Sequence, residues 1–156
     1  GTYDGIVCDE LVYKNCVIKG VTTLYGKATF IDCTFENTMA NQYSIWTWGG
    51  TDVKFENCTF NTNGKAILVF GEEKTTNVTV ENCIFNDRTN GAAGKAAIEI
   101  GEANYGKHNN FTVVINNVKV ASGFADGKNT GSKVWANKNN MSSTYLSVTI
   151  DGVKAL

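Results

Sequence analysis

The chain has 156 residues, of which 42% are apolar, so it is long enough for one domain with a continuous core and too apolar to be disordered. Lys and Arg number 14 against 15 Asp and Glu, which excludes a generally basic nucleic-acid binder. No apolar run approaches the roughly 18 residues of a membrane-spanning helix. Proline is absent and Gly numbers 16, a composition typical of many short strands joined by tight corners. We expect almost no helix, because no long segment keeps a 3.6-residue apolar period.

A short phrase recurs along the chain with the pattern apolar, x, apolar, x, Asn or Asp, Cys, x, apolar. The copies are LVYKNCVI at 11–18, ATFIDCTF at 28–35, VKFENCTF at 53–60, VTVENCIF at 78–85, VVINNVKV at 113–120 and VTIDGVKA at 148–155. Successive copies start 17, 25, 25, 35 and 35 residues apart. Six copies with two equal pairs of spacings indicate a repeat architecture.

Each copy predicts two short strands that meet at a corner. In the copy at 78–85, strand alternation points Val78 and Val80 to the inside, and Cys83 and Phe85 to the same inside after the corner. The corner position holds residues that tolerate left-handed backbone angles. They are Asn15, Asp32, Asn57, Asn82, Asn117 and Gly152.

A third strand precedes each phrase, in the segments 5–9, 22–26, 45–49, 67–71, 97–101 and 133–137. Aligned on their last residues, these segments predict two inward columns and one outward column. The inward columns are Cys8, Tyr25, Trp48, Phe70, Ile100 and Ala136, and Ile6, Thr23, Trp46, Leu68, Ile98 and Val134. The outward column is Val7, Leu24, Thr47, Val69, Glu99 and Trp135. A phase shifted by one would turn Trp46 and Trp48 outward and Thr47 inward. Stacking on Tyr25 and Phe70 favours the inward choice.

Three short strands per repeat predict one coil of a parallel β-helix, and coils of this kind must stack to bury their apolar sides. We expect an all-β domain of about six coils covering 1–156, with an Asn ladder and a Cys/Phe ladder. The extra residues of the longer coils are expected in loops near 86–96, 101–111, 121–132 and 137–146. Neither end shows a capping helix, which favours a piece of a longer chain or a subunit that stacks on a neighbour.

This pattern resembles the right-handed β-helix of the pectate-lyase superfamily, and its repeat style is similar to that of adhesin-like microbial surface proteins. The resemblance rests on the Asn column, the three strands per coil and the Cys/Phe ladders. It implies a secreted or cell-surface protein. It also implies that any enzymatic site lies along the first-strand face, with clustered acids for calcium or a set of Asp residues for hydrolysis.

The predicted first-strand face argues against catalysis. Its outward column holds one carboxylate, Glu99, and no cation, whereas glycoside cleavage by paired acids needs two carboxylates and a calcium cluster needs several oxygens. We therefore expect a non-catalytic adhesive or scaffold module. The alternatives are a polysaccharide lyase or glycoside hydrolase acting on a uronic-acid polymer, and a structural filament subunit.

Metal and redox chemistry have little support in the sequence. The only His is His108, in an Asn-rich loop, and no CxxC or CxxH pair occurs. We expect no metal site and no cofactor. The ladder of Cys16, Cys33, Cys58 and Cys83 is interpreted as a small apolar stack of free thiols. Glu72, Glu73 and Lys74 are interpreted as an ordinary surface turn.

Aromatic and amide residues give the best binding signal. Flat rings stack on the C–H faces of sugars while amides satisfy hydroxyls. The predicted binding residues are Trp135, Tyr105, Lys133, Asn137, Asn139 and Asn140. The alternative for Trp135 is packing under its own long loop. The expected partners are a polysaccharide or surface glycan, and further copies of the chain through the coil ends. Nucleic acid and a membrane span are not expected.

Overall fold

The computed structural model describes residues 9–71, 75–87, 93–101 and 110–156, and within them it contains strands and turns but no helix. The strands are β1 Leu11–Lys14, β2 Val17–Lys19, β3 Thr22–Leu24, β4 Lys27–Ile31, β5 Thr34–Glu36, β6 Ile45–Thr47, β7 Asp52–Glu56, β8 Thr59–Thr62, β9 Ile67–Val69, β10 Thr76–Glu81, β11 Ile84–Asp87, β12 Ile98–Ile100, β13 Phe111–Asn116, β14 Lys119–Val120, β15 Trp135–Asn137, β16 Leu146–Ile150 and β17 Val153–Lys154.

These strands form three sheets that run along one axis. Sheet A has the order β1-β4-β7-β10-β13-β16-β17, sheet B the order β14-β11-β8-β5-β2, and sheet C the order β15-β12-β9-β6-β3. Every third strand is therefore a neighbour, and all pairs are parallel except β16 with β17. One coil contributes one strand to each sheet. This is the parallel β-helix that the repeat predicts.

The interior is filled by ladders of like residues from successive coils. Phe60 stacks between Phe35 and Phe85, with centroid distances of 4.6 and 4.7 Å. From sheet A, Phe30 and Phe55 stack at 5.3 Å and meet the sheet B rings edge-on. These five rings are at most 1% exposed. The Phe ladder is thus confirmed as the centre of the core.

The cysteine ladder also faces inward, and its four described members are free thiols. Each buried thiol donates to carbonyls at the corner: Cys58 Sγ lies 3.4 Å from both Phe30 O and Glu56 O. Hydrogen bonding to Cys83 and burial raise the pKa of the Cys58 thiol, and burial does the same for Cys33. The raised pKa keeps the Cys33 and Cys58 thiols neutral, so they pack as small apolar groups. They are also unreactive, because the thiolate is the reactive form. Cys8 lies outside the described residues.

The corner between sheets A and B is confirmed in five coils. Asn15, Asp32, Asn57, Asn82 and Asn117 have φ between 49° and 55°. Their backbone N–H groups are tied to the next coil, as in the 3.0 Å bond from Asn82 N to Asn116 O. Two of the corner side chains also bond to each other, because Asn117 Nδ2 donates to Asn82 Oδ1 at 2.7 Å.

The sixth copy of the phrase departs from the prediction. Asp151 and Gly152 both have positive φ, 49° and 79°, which is the signature of a tight hairpin turn. β17 therefore folds back antiparallel on β16, pairing Ile150 with Val153, instead of turning the corner into sheet B. Two adjacent residues with positive φ close a hairpin here, whereas a single Asn or Asp with positive φ turns the corner in the other copies.

The prediction for the orientation of sheet C was wrong in four of the five described strands. The inward columns are Thr22, Ile45, Ile67, Ile98 and Trp135, and Leu24, Thr47, Val69, Ile100 and Asn137. Only β12 has the predicted orientation, with Ile98 and Ile100 inward and Glu99 outward. Thr47 tolerates the interior because its hydroxyl donates to Phe70 O and accepts from Phe70 N, both at 2.9 Å. A buried hydroxyl satisfied in this way costs little.

Candidate functional site

The outer face of sheet C carries an aromatic surface that we call the aromatic strip, formed by Tyr25, Trp46 and Trp48. Trp46 and Trp48 alternate with the buried Ile45 and Thr47, so both indoles point away from the core. Tyr25 follows β3 at the equivalent position one coil earlier and is 55% exposed. The strip therefore spans two successive coils.

The rings of the strip stack along the helix axis. Tyr25 and Trp48 are parallel, with centroids 6.0 Å apart and planes 3° apart. Trp48 meets Phe70 of the next coil edge-on at 4.7 Å. The predicted Tyr25–Trp48–Phe70 stack thus exists, but it lies on the outside of the sheet. Flat, partly exposed rings aligned over successive coils form a surface that suits a ligand with flat apolar faces.

Buried side chains flank the strip on the outer face of sheet C. Leu68, Phe70 and Tyr43 are no more than 5% exposed and form a cluster against which Trp46 and Trp48 pack. Tyr43 meets Trp46 edge-on at 6.0 Å. Because both indoles pack against this buried cluster, their orientations are restricted.

A buried charged group lies two coils beyond the strip. Glu99 occupies the same outward column as Trp46 and Leu68 and is 4% exposed. Burial raises the pKa of its carboxyl, and the charges of Lys138, Lys95 and Lys65 oppose that effect. The Nζ atoms of Lys65 and Lys138 lie 5.4 and 5.9 Å from the Tyr43 ring centroid.

Desolvation and the positive charges of Lys95 and Lys138 also lower the pKa of Lys65. Its ammonium is fixed by a 3.1 Å hydrogen bond to Asn41 O. Glu99 and the lysines therefore perturb one another at the end of the strip. This region beyond the strip combines the ammonium groups of the lysines with the carboxyl group of Glu99.

The structure corrects the prediction for Trp135. Its side chain lies in the inward column and is 7% exposed, as part of the core cluster. It cannot reach a ligand on the surface. The error follows from aligning its segment on the last residue, which placed Trp135 one position out of phase.

Asn137 is also structural. It is 4% exposed, and its amide bonds Met141 O at 2.9 Å and Met141 N at 2.8 Å. Lys133 is exposed but occupied, because its Nζ donates to Phe124 O at 2.8 Å and pairs with Asp126 at 3.6 Å. Lys133 thus holds the loop before β15, and Asn137 holds the loop after it.

Asn139 and Asn140 remain exposed. A Cβ added to Gly101 would lie 3.3 Å from Asn139 Nδ2, so this amide packs over Gly101, two residues after Glu99. Asn140 has φ 51° and serves the turn before β16. Tyr105 and His108 lie outside the described residues, as do Glu72, Glu73 and Lys74. None of the predicted binding residues that the structure describes belongs to the aromatic strip.

The two indoles of the strip were missed as site residues because the phase was set by aromatic stacking. A usable signal was present in the sequence. ILV at 67–69 and IEI at 98–100 match when aligned on their β-branched residues, and Glu99 must point outward. That alignment places Leu68 and Trp46 outward as well.

Residues 5–144, which are most of the chain, match the protein family described as the right-handed β-helix region. The chain belongs to the right-handed β-helix family. No curated protein and no solved structure matches this β-helix significantly. Within the described ranges, no helix is long and apolar enough to cross a membrane. In the same ranges, no three His, Cys, Asp or Glu side chains converge as a metal site would require.

Proposed function

We propose that this right-handed β-helix is a non-catalytic module of a secreted or cell-surface microbial protein, and that it binds glycan along the outer face of sheet C. The observation that carries the proposal is the aromatic strip. Tyr25 and Trp48 present parallel rings 6.0 Å apart, and Tyr25 is more than half exposed. Stacking of sugar C–H faces on such rings stabilises a complex without demanding a deep pocket.

The direction of the strip supports an extended ligand. Its rings follow the helix axis, and successive coils are about 4.8 Å apart. A polymer lying along the axis would meet Tyr25 and then Trp48. An adhesive or scaffold role follows naturally, because a rigid rod with ligand contacts along one side holds a polymer without changing shape.

Polysaccharide cleavage is the second candidate, and Glu99 is the observation that favours it. A buried carboxyl with a raised pKa is the type of group that acts as a general acid. Cleavage by paired acids also needs a second carboxylate within reach. Among the described residues of the outward column, Glu99 is the one carboxylate, and it has no second carboxylate beside it in that column. This supports binding over cleavage.

The test is electrophoresis in gels containing pectin, gastric mucin or yeast mannan, with fragment release followed in parallel. We expect retardation of the wild-type protein without fragments, and loss of retardation in Trp48→Ala. The matched control is Trp135→Phe, which changes a core indole and should be retarded like wild type. Fragment release would overturn the non-catalytic assignment. Equal retardation of Trp48→Ala and wild type would overturn the role of the strip.

A further inference from the structure

Two lysines lie side by side at the edge of sheet C where its strands begin. Lys65 precedes β9 and Lys95 precedes β12, and these strands are neighbours in which Ile67 pairs with Ile98. The two lysines therefore belong to adjacent coils, which are about 4.8 Å apart along the axis. Both residues are partly exposed, so a ligand in solution has access to them.

A third lysine reaches the same place from the opposite edge of the sheet. Lys138 follows β15 and is also partly exposed. Its Nζ lies 5.9 Å from the centroid of the Tyr43 ring, and Lys65 Nζ lies 5.4 Å from the same centroid. Tyr43 in turn meets Trp46 of the aromatic strip edge-on at 6.0 Å. The ammonium groups of Lys65 and Lys138 thus adjoin the strip, with one ring between them and Trp46.

These three residues, which we call the lysine cluster, concentrate positive charge. Burial lowers the pKa of Lys65, and the positive charges of Lys95 and Lys138 lower it further. Among the described residues, the carboxyl group that faces the cluster is that of Glu99, which is 4% exposed. Burial favours the neutral form of this acid, so it offsets the cluster poorly. An anionic group that approaches from solvent is therefore attracted to the cluster.

We propose that the lysine cluster is an anion subsite of the glycan-binding face, and that it binds a sulfate ester on a glycan whose adjoining sugar ring stacks on the aromatic strip. This inference rests on the proposed function and names the chemical class of its ligand, a sulfated glycan.

The donors of the cluster match a sulfate ester better than a carboxylate. The planar fork of an Arg guanidinium matches a planar carboxylate, whereas the Lys ammonium acts as a compact point charge. The cluster offers ammonium groups from three separate positions of the chain. The three terminal oxygens of a sulfate ester point in different directions, so each can accept from a different ammonium group. Lys65 donates one hydrogen bond to Asn41 O at 3.1 Å, which positions its ammonium and leaves two N–H donors for a ligand.

The experiment compares two polymers by isothermal titration calorimetry: chondroitin 4-sulfate and chondroitin, its desulfated form. Both have the same sugar rings and the same uronate carboxylates, so they differ only in the sulfate ester. We expect the wild-type protein to bind the sulfated polymer about tenfold more tightly. Raising the ionic strength should reduce this preference, because salt screens partly exposed charges.

The variant Lys65→Gln/Lys95→Gln removes two ammonium groups of the cluster. It relieves repulsion between like charges and keeps most of each side chain, so it is expected to fold. Its affinity for chondroitin 4-sulfate should fall about tenfold, while its affinity for chondroitin changes little. Lys65→Arg/Lys95→Arg keeps both charges and should recover most of the lost affinity.

The matched control is Lys119→Gln/Lys154→Gln, which makes the same change in net charge on β14 and β17. Both of these lysines are exposed and lie outside sheet C. This control should bind chondroitin 4-sulfate like the wild-type protein. Equal loss of affinity in the control and in Lys65→Gln/Lys95→Gln would mean that only net charge matters, and the subsite would be overturned.

The remaining outcomes separate this inference from the proposed function. If the wild-type protein binds chondroitin and chondroitin 4-sulfate equally, the sulfate assignment is overturned. If it binds neither of them but is retarded by the mucin or mannan gel in a way that Trp48→Ala abolishes, the anion subsite is overturned and the strip stands. If no glycan binds at all, both proposals are overturned.

Discussion

Tyr25 and Trp48 hold their rings parallel, 3° apart, on the outside of adjacent coils, whereas Trp135 lies within the core three coils further along. The same β-helix thus has two kinds of tryptophan. One kind stabilises the fold, and the other lies partly exposed on the outer face of sheet C.

Fluorescence distinguishes the two kinds. A Trp46→Phe/Trp48→Phe variant, which retains Trp135, should emit at shorter wavelength and resist quenching by iodide because Trp135 is 7% exposed. Trp135→Phe should retain red-shifted, readily quenched emission from the half-buried pair on the strip. Equal quenching of the two variants would contradict the assigned orientation of sheet C.

The Phe ladder is the most sensitive part of the core. Phe60→Ala should lower the free energy of unfolding by about 3–5 kcal/mol, because it removes a ring stacked on both sides in a site that cannot collapse. Urea denaturation is the measurement. Val17→Ala serves as control, since Val17 is 63% exposed on the same sheet. Similar midpoints for the two variants would argue against a continuous interior stack.

Two variants of Asn82 distinguish the cost of backbone strain from the cost of a lost side-chain hydrogen bond at the corner. Asn82→Ala should cost on the order of 1 kcal/mol or more, because Ala is strained at φ 53°. Asn82→Gly loses the same bond from Asn117 but tolerates that angle, so it should cost less. Thermal melts of both variants give the comparison. An unchanged melting temperature for Asn82→Ala would remove strain as the reason for Asn at this corner.

Glu99 makes stability depend on pH with a defined sign. Burial raises the pKa of its carboxyl above the usual value for Glu, so the folded state binds more protons than the unfolded state at pH values above that usual value, and stability falls as pH rises through that window. Glu99→Gln removes this effect.

The Gln variant should therefore melt higher than wild type at pH 8, and the difference should shrink near pH 4. Calorimetry across this range is the measurement. A variant less stable than wild type at every pH would mean that the Glu99 carboxylate is stabilised by its lysine neighbours.

Much of the fold was predictable because the repeat supplies independent evidence at every coil. Strands of sheet A are long enough for alternation to be read, as in β10, where Thr76, Val78 and Val80 all point inward. The corner residue is marked by its chemistry, because few residues accept a positive φ. Register, corners and the Cys/Phe ladder followed from these two signals.

Sheet C was harder because its strands contain three residues each. Alternation over three residues does not identify the inward face, particularly when all three are buried, as in Ile67–Val69. Aromatic stacking was a poor guide, because rings stack as well on the outside of this sheet as inside. The candidate site lies on this sheet, so the error in phase displaced the predicted ligand residues from the strip to Trp135.

The three corners of the coil differ in one respect that bears on how the site can change. Between sheets A and B the connection is always two residues, at 15–16, 32–33, 57–58, 82–83 and 117–118. Between B and C it ranges from 20–21 to 121–134, and between C and A from 25–26 to 101–110. All variation in length thus borders the two edges of sheet C. New loops can be exchanged around the aromatic strip while the cross-section stays constant, which makes this rod a scaffold for grafting recognition loops along one side.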